Sequence, residues 1–288
     1  MSVMPPVGAP RSSTSAPTQE AGAKTLRRGN GATPVSPPTP AASPAKAAAA
    51  DAARTGNPVP EAAVAAMFDE IAPVYDRLNT LMTLGADGRW RRAAVDAAAI
   101  RSGDSAIDVA CGTGKLTAEL AERVGPFGRV LGVDVSAGMI AQGAQSYHDL
   151  VQLEFRLANA LRLPARDGEF DAATISFGLR NLADFEAAFR ELRRVVRPRG
   201  RVVCLELTNP RQRWWRRVFR LGFGRLAPLA GRLFGREAAY RYLPASLDGF
   251  PEPEQLARTM RRSGLVDVSF RRLGLGSVAL HVGVVPGD

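Results

Sequence analysis

From Ser105 to Leu207 the chain alternates short apolar runs with amphipathic stretches. The apolar runs 105–110, 129–133, 153–157, 171–176 and 201–207 have strand length and end at turn-forming residues, so each predicts a buried strand. Between them, 116–124, 137–147 and 184–196 carry apolar residues at helical spacing. Strand and helix in alternation predict a mostly parallel sheet with helices on both faces. The end of the chain differs: helix 252–263 stops at Gly264, and strands 266–273 and 277–285 follow with only a short Gly-containing link. Two strands so joined pair antiparallel, which makes seven strands in all and closes the sheet with a C-terminal hairpin. Upstream, Val64, Met67, Phe68, Ile71 and Val74 predict a helix over 61–77 that breaks at Pro73, and 89–100 predicts a second.

Composition changes the picture at both ends. Residues 1–60 hold no aromatic residue, are dominated by Ala, Pro, Ser, Thr and Gly, and cannot bury enough apolar surface to offset ordering. They read as a disordered tail, leaving one domain over 61–288. With Glu20 and Asp51 as the only acids, the tail also suits an organelle transit peptide, plastid or mitochondrial; it lacks the apolar core of a secretory signal. The net charge is +10, and it is unevenly placed: nine arginines and one acid, Glu237, fall between Arg211 and Arg241, interleaved with Trp214, Trp215, Phe219 and several leucines. A basic amphipathic insertion over 210–248 suits contact with a membrane surface, and equally suits a lid whose arginines are merely solvated. Cys111 and Cys204 lie in apolar runs without metal-ligand spacing, so they read as reduced core thiols and no metal is expected. No apolar run is long enough to span a bilayer, so the expected location is cytoplasmic and peripheral to a membrane, or an organelle if 1–60 is a transit peptide.

The candidate chemistry begins at Asp108-Val-Ala-Cys-Gly112-Thr113-Gly114-Lys115, where the first strand passes into a helix. Glycines there allow a tight turn and a close backbone approach, and the helix start offers free N–H groups. A phosphate-cradling loop requires Ser or Thr after the lysine, and Leu116 stands there. A dinucleotide fingerprint requires a small third residue, which Leu116 also fails. S-adenosylmethionine, an adenosine without pyrophosphate, fits better. Asp134 ends the next strand, where a carboxylate accepts both ribose hydroxyls, unless it only caps the following helix. Asn159 and Ala160 end the third strand, where an amide and a backbone N–H can read the adenine edge, unless Asn159 only makes a turn. Successive strand ends are where open α/β sheets bind ligands.

Four stretches are more specific: Met67-FDEIAPVYDRLNTLMTLGADGRWRR, Thr174-ISFGLRNLADFEAAFRELRRVVRPRGRVVCLELTNP, Glu237-AAYRYLPASLDGFP and Val278-ALHVG. With them the chain resembles the ubiquinone and menaquinone biosynthesis C-methyltransferases of the demethylmenaquinone methyltransferase type, a Rossmann-like class I methyltransferase family, from about Met67 to Gly283. The resemblance implies methyl transfer from S-adenosylmethionine to a ring carbon of a prenylated quinol. It also implies donor contacts at Thr113, Asp134, Asn159, Ala160 and Ser176, which join Asp108, Gly112 and Gly114 of the glycine loop as candidate donor-binding residues. A quinol carbon becomes nucleophilic when a neighbouring hydroxyl loses its proton, so Arg180 is the first candidate to stabilise the phenolate. Asn181, Tyr75, Asp76, Tyr240 and His281 are candidates to orient the quinol or take its proton, although His281 also suits the core and Tyr75 also suits packing. The chain departs from many relatives in having Lys115 where they have an acid, and Leu273-Gly-Leu-Gly-Ser277 where they have Thr-Gly-Gly. Another small hydrophobic acceptor remains open, a homodimer is allowed, and nucleic acid is not an expected partner.

Overall fold

The computed structural model describes residues 60–212 and 249–287, with Trp214, Arg217 and Leu247. Residues 1–59 and most of the 210–248 insertion, including Tyr240, lie outside the described residues. Helices α1 (Glu61–Met82) and α2 (Asp87–Ala98) lead into β1 (Ser105–Val109), α3 (Lys115–Val124), β2 (Arg129–Asp134), α4 (Ala137–Ser146) and β3 (Leu153–Leu157). Then come β4 (Phe170–Ser176), α5 (Phe185–Val195), β5 (Val196–Leu207), α6 (Pro253–Arg262), β6 (Val266–Leu273) and β7 (Val278–Val284).

The seven strands form one sheet in the order β3-β2-β1-β4-β5-β7-β6. The first five pair in parallel, while β7 runs antiparallel to both β5 and β6, as the missing intervening helix requires. Each face is sealed by apolar packing. On one, Ile107, Phe170, Cys204 and Val202 meet Phe189 and Leu192 of α5 and Leu256 and Met260 of α6. On the other, Ala106, Val130, Leu205 and Leu280 meet Ala94 and Val95 of α2 and Leu116 and Leu120 of α3. Strand order reverses between β1 and β4, so their carboxyl ends splay apart and leave a crevice.

Two elements depart from expectation. Helix α1 does not break at Pro73; it continues to Met82 as 22 residues. An internal proline costs about 3 kcal/mol. Met67, Ile71 and Ala72 before it and Leu78 around and beyond it are all buried, and burial of each large side chain contributes about 1.5–3 kcal/mol, enough to hold both halves in line. Strand β5 begins at Val196 instead of Arg201, because Phe170 pairs with Val196 before a bulge shifts the register to Ala172 and Arg201.

Candidate active site

The glycine loop leaves β1 through left-handed backbone at Ala110 (φ 54°), Gly112 (φ 56°) and Gly114 (φ 83°). Gly114 is irreplaceable sterically as well, since a Cβ there would lie 2.4 Å from the Phe155 ring. Asp134, at the end of β2, closes the loop from the other side. Its Oδ2 accepts the Gly112 N–H at 2.8 Å and its Oδ1 the Ser136 N–H at 2.9 Å. The cap of α4 is Ser136, whose hydroxyl accepts from Met139 N at 3.1 Å, so Asp134 is released from that alternative role. Burial raises the Asp134 pKa, and the N–H groups of Ser136, Gly112 and Val135 pull it back down. Each carboxylate oxygen retains a lone pair, and the group lines a cavity with Val135, Met139 and Leu161. An acceptor pair beside an apolar slot fits a ribose diol and its flat base, so these residues fit the adenosine half of S-adenosylmethionine.

Asn159 lines the same cavity, but both ends of its amide are engaged: Oδ1 accepts Leu161 N at 2.6 Å and Nδ2 donates to Glu61 at 2.5 Å. It therefore makes the turn and ties it to the start of α1. Ala160 is buried behind it.

A second cavity adjoins the first, and Tyr75, Ala110, Gly112, Ser176 and Phe177 line both. At this waist Ala110 and Phe177 (φ 55°) end β1 and β4 in left-handed backbone, strain of the kind concentrated at functional sites. Beyond it the walls are Met82, Trp90, Leu116 and Leu207, with Asp76, Asp87, Arg91, Asp108, Lys115 and Arg180 as charged groups. Thr113 Oγ1 donates to Asp76 Oδ1 at 2.7 Å, and Lys115 Nζ lies 3.6 Å from the same oxygen. A cation at a helix start opposes the macrodipole, and Asp76 compensates it. Asp108 is fully engaged: Thr117 and Thr174 donate to its two oxygens at 2.8 and 2.6 Å, and burial raises its pKa to about 7.

Arg180 points into this cavity already paired. Its Nη1 donates to Glu206 Oε1 and to the Phe177 carbonyl, each at 2.6 Å, with the two side chains 4% and 1% exposed. Glu206 is the partner that sequence reasoning missed. Its signal was an acid inside the apolar run Val202-Val-Cys-Leu-Glu206-Leu, which a buried strand tolerates only if paired. Burial pushes the Tyr75 hydroxyl up, against the nearby Arg180 charge and its hydrogen bond with Asn79, so it stays protonated.

The structure thus gathers Tyr75, Asp76, Asp108, Gly112, Thr113, Ser176 and Arg180 around one cavity, and Asp134, Asn159 and Asn181 around the other. His281 is elsewhere. It sits on β7 opposite Cys204, stacks on Phe270 at 5.2 Å and bonds the Pro253 carbonyl through Nε2 at 3.0 Å. Its register explains this, for residues opposite Cys204 face α6 and not the crevice. Among the described residues no group of three or more His, Cys, Asp or Glu could hold a metal, and both cysteines are free.

Residues 57–285 match the model of the ubiE/COQ5 methyltransferase family. The chain belongs to that family. It is 45% identical over 222 residues to the demethylmenaquinone methyltransferase of Thermus thermophilus, covering 76% of this chain and all of that one. It is also 38% identical over 230 residues to a Ubiquinone/menaquinone biosynthesis C-methyltransferase UbiE of Hahella chejuensis, covering 78% and 92%. Among solved structures, a putative methyltransferase complexed with the Haloferax volcanii Trm112 activator aligns with TM-score 0.54 at 18% identity over 76% of this chain and 97% of that one. The [4+2]-cyclase SpnF aligns with TM-score 0.55 at 18% identity over 79% and 97%. A cyclase and a methyltransferase on one fold show that the architecture alone does not choose the chemistry. For this chain it is membership of the family that names the reaction class: an S-adenosylmethionine-dependent methyltransferase.

Proposed function

We propose that the chain methylates a ring carbon of a prenylated quinol, of the demethylmenaquinol or ubiquinone-precursor type, in quinone biosynthesis. The observation that carries this is the pair of cavities joined at Tyr75, Ser176 and Phe177, one suited to adenosine and the other walled by Trp90, Phe177, Leu207 and Met82. A flat aromatic acceptor fits the second. The relatives' names narrow the acceptor to a quinol.

S-adenosylmethionine supplies an electrophilic sulfonium methyl when bound. Asp134 and the glycine loop would hold the donor, with Asp76 and Lys115 beside the loop as a pair of opposite charges. On the acceptor side Arg180 stabilises a phenolate, and Glu206 holds the guanidinium in place. The protonated Tyr75 hydroxyl donates to an oxygen of the ring, and Trp90, Phe177 and Leu207 exclude water around it. The remaining contribution is alignment, which accounts for a large share of rate in transfers that need no covalent intermediate. The long prenyl tail makes the enzyme peripheral to a membrane.

The test is methyl transfer from labelled S-adenosylmethionine to reduced demethylmenaquinone and demethoxy-ubiquinol analogues. Arg180→Lys is the informative variant, because it keeps a charge beside Glu206 but replaces the planar guanidinium with a compact ammonium. Labelled quinol from the wild type and at least about tenfold less from the variant are expected. Donor binding without transfer to any quinol would send the acceptor assignment to another small hydrophobic molecule.

A further inference from the structure

Two leucines occupy backbone that leucine avoids. Leu84, between α1 and α2, has φ 50° and is 90% exposed; Leu275, between β6 and β7, has φ 56° and is 74% exposed. Left-handed turn positions favour glycine or asparagine, and a branched side chain there adds strain. The neighbours of Leu275 follow the rule, for Gly274 and Gly276 are also left-handed. Neither leucine gains burial in exchange for that strain.

Both turns stand at the rim of the acceptor cavity, one on each side of Trp90. The Trp90 N–H bonds Ala86 O at 3.3 Å, which places the turn carrying Leu84 one helical step away. On the other side, a Cβ at Gly274 would lie 2.8 Å from Trp90 Cζ2. The indole itself lines the cavity, 6.3 Å from the Phe177 ring. Leu81, 59% exposed on the last turn of α1, extends the apolar rim. The charge around it is positive. Arg89 and Arg271 are exposed, while the rim acid Asp87 is buried against Arg91 at 2.5 Å and Thr83 at 3.0 Å.

We propose that this rim is a membrane-docking surface: Leu84 and Leu275 insert into a bilayer carrying anionic lipid, and Arg89 and Arg271 meet its headgroups. Apolar tips flanked by arginines match an interface that is apolar inside and negative at its surface. The placement rests on the prenylated acceptor argued above, since a tail resident in the bilayer has to enter the cavity across this rim.

The experiment compares the full chain with Leu84→Gly/Leu275→Gly. Glycine suits both backbones, so the variant is expected to melt at the same or a higher temperature, which separates lost docking from lost folding. Co-sedimentation with phosphatidylcholine vesicles, with and without phosphatidylglycerol, measures binding; transfer to a short-chain, water-soluble quinol measures chemistry. Wild type is expected to bind the anionic vesicles. The variant should bind at least about tenfold less while methylating the soluble quinol at an unchanged rate. Vesicle binding that is equal in the two proteins, or absent from wild type, overturns the proposal. So does earlier melting or a changed sedimentation coefficient in the variant with vesicle binding retained, because the leucines would then cover another copy or residues 213–248. Wild type that binds vesicles in this leucine-dependent way yet methylates no quinol leaves the surface standing and removes the acceptor reading.

Discussion

At the scale of single residues, two buried groups pull stability in opposite directions with pH. Asp108 holds its proton to about pH 7 in the fold against 3.8 for an ordinary aspartate, so between those values the folded chain binds more protons than the unfolded one. The contribution of this group to stability therefore falls as pH rises through that window. His281 is the reverse. Burial lowers its pKa to about 4 from 6.5, so the unfolded chain binds more protons there, and its contribution is lost as pH falls from 6.5 to 4. Replacing Asp108 by Asn should leave the histidine slope uncompensated. Urea unfolding at pH 5 and pH 8 is expected to show the wild-type stability, relative to Asp108→Asn, decreasing by roughly 2–3 kcal/mol across that interval. Parallel pH profiles for the two proteins would mean that Asp108 ionises normally.

At the scale of elements, the ring of Phe155 on β3 organises the donor side. Cβ atoms placed at Gly114, Gly132 and Gly143 would lie 2.4, 2.9 and 2.9 Å from it, so three glycines from the loop, β2 and α4 form its socket. A helical Gly→Ala ordinarily stabilises by up to about 1 kcal/mol. Gly143→Ala should instead destabilise, because the methyl meets Phe155 and, at 3.2 Å, the Thr113 carbonyl. In a Phe155→Leu background its cost should shrink or change sign, which a double-mutant cycle by chemical denaturation reads directly. Additivity within error would show that the socket is not what the glycine serves. Such facts mark where reading the sequence stops. Alternation of runs between 105 and 207 disclosed the parallel part of the sheet, and two successive strand runs after Gly264 its closing hairpin, because buried strands and amphipathic helices each have a local period. Pro73 misled because its cost is local while its compensation, at Ile71 and Leu78, is tertiary. That Gly112 and Asp134 meet at one cavity was legible, since strand ends are local features. Glu206 as the partner of Arg180, the engaged amide of Asn159 and the buried place of His281 against α6 all depend on pairings 26 to 98 residues apart or on strand register.

At the scale of the whole molecule, the donor site is spread along the chain but not beyond a definite limit. Helix α1 reaches across from the amino-terminal side: Asp69 accepts from Ser136 Oγ at 2.6 Å and from Gly138 N at 2.8 Å, while Glu61 holds Asn159. The cavity beside Asp134 is therefore closed by the first described helix against the second and third strand ends. All of these contacts, the sheet and both cavities lie within the residues that match the family, 57–285. A chain starting at residue 57 should consequently retain the donor site whole. Saturation with S-adenosylhomocysteine at about 100 times its dissociation constant stabilises a protein by about 2.7 kcal/mol, which for a domain of this size corresponds to a melting shift of roughly 5–10 °C. Differential scanning fluorimetry should give the same shift, within about a degree by that relation, for the full chain and for residues 57–288. Truncation into α1, beginning at residue 70 and so deleting Glu61 and Asp69, should abolish most of the shift. A full-length shift that disappears on removing 1–56 alone would instead make the amino-terminal tail part of the donor site.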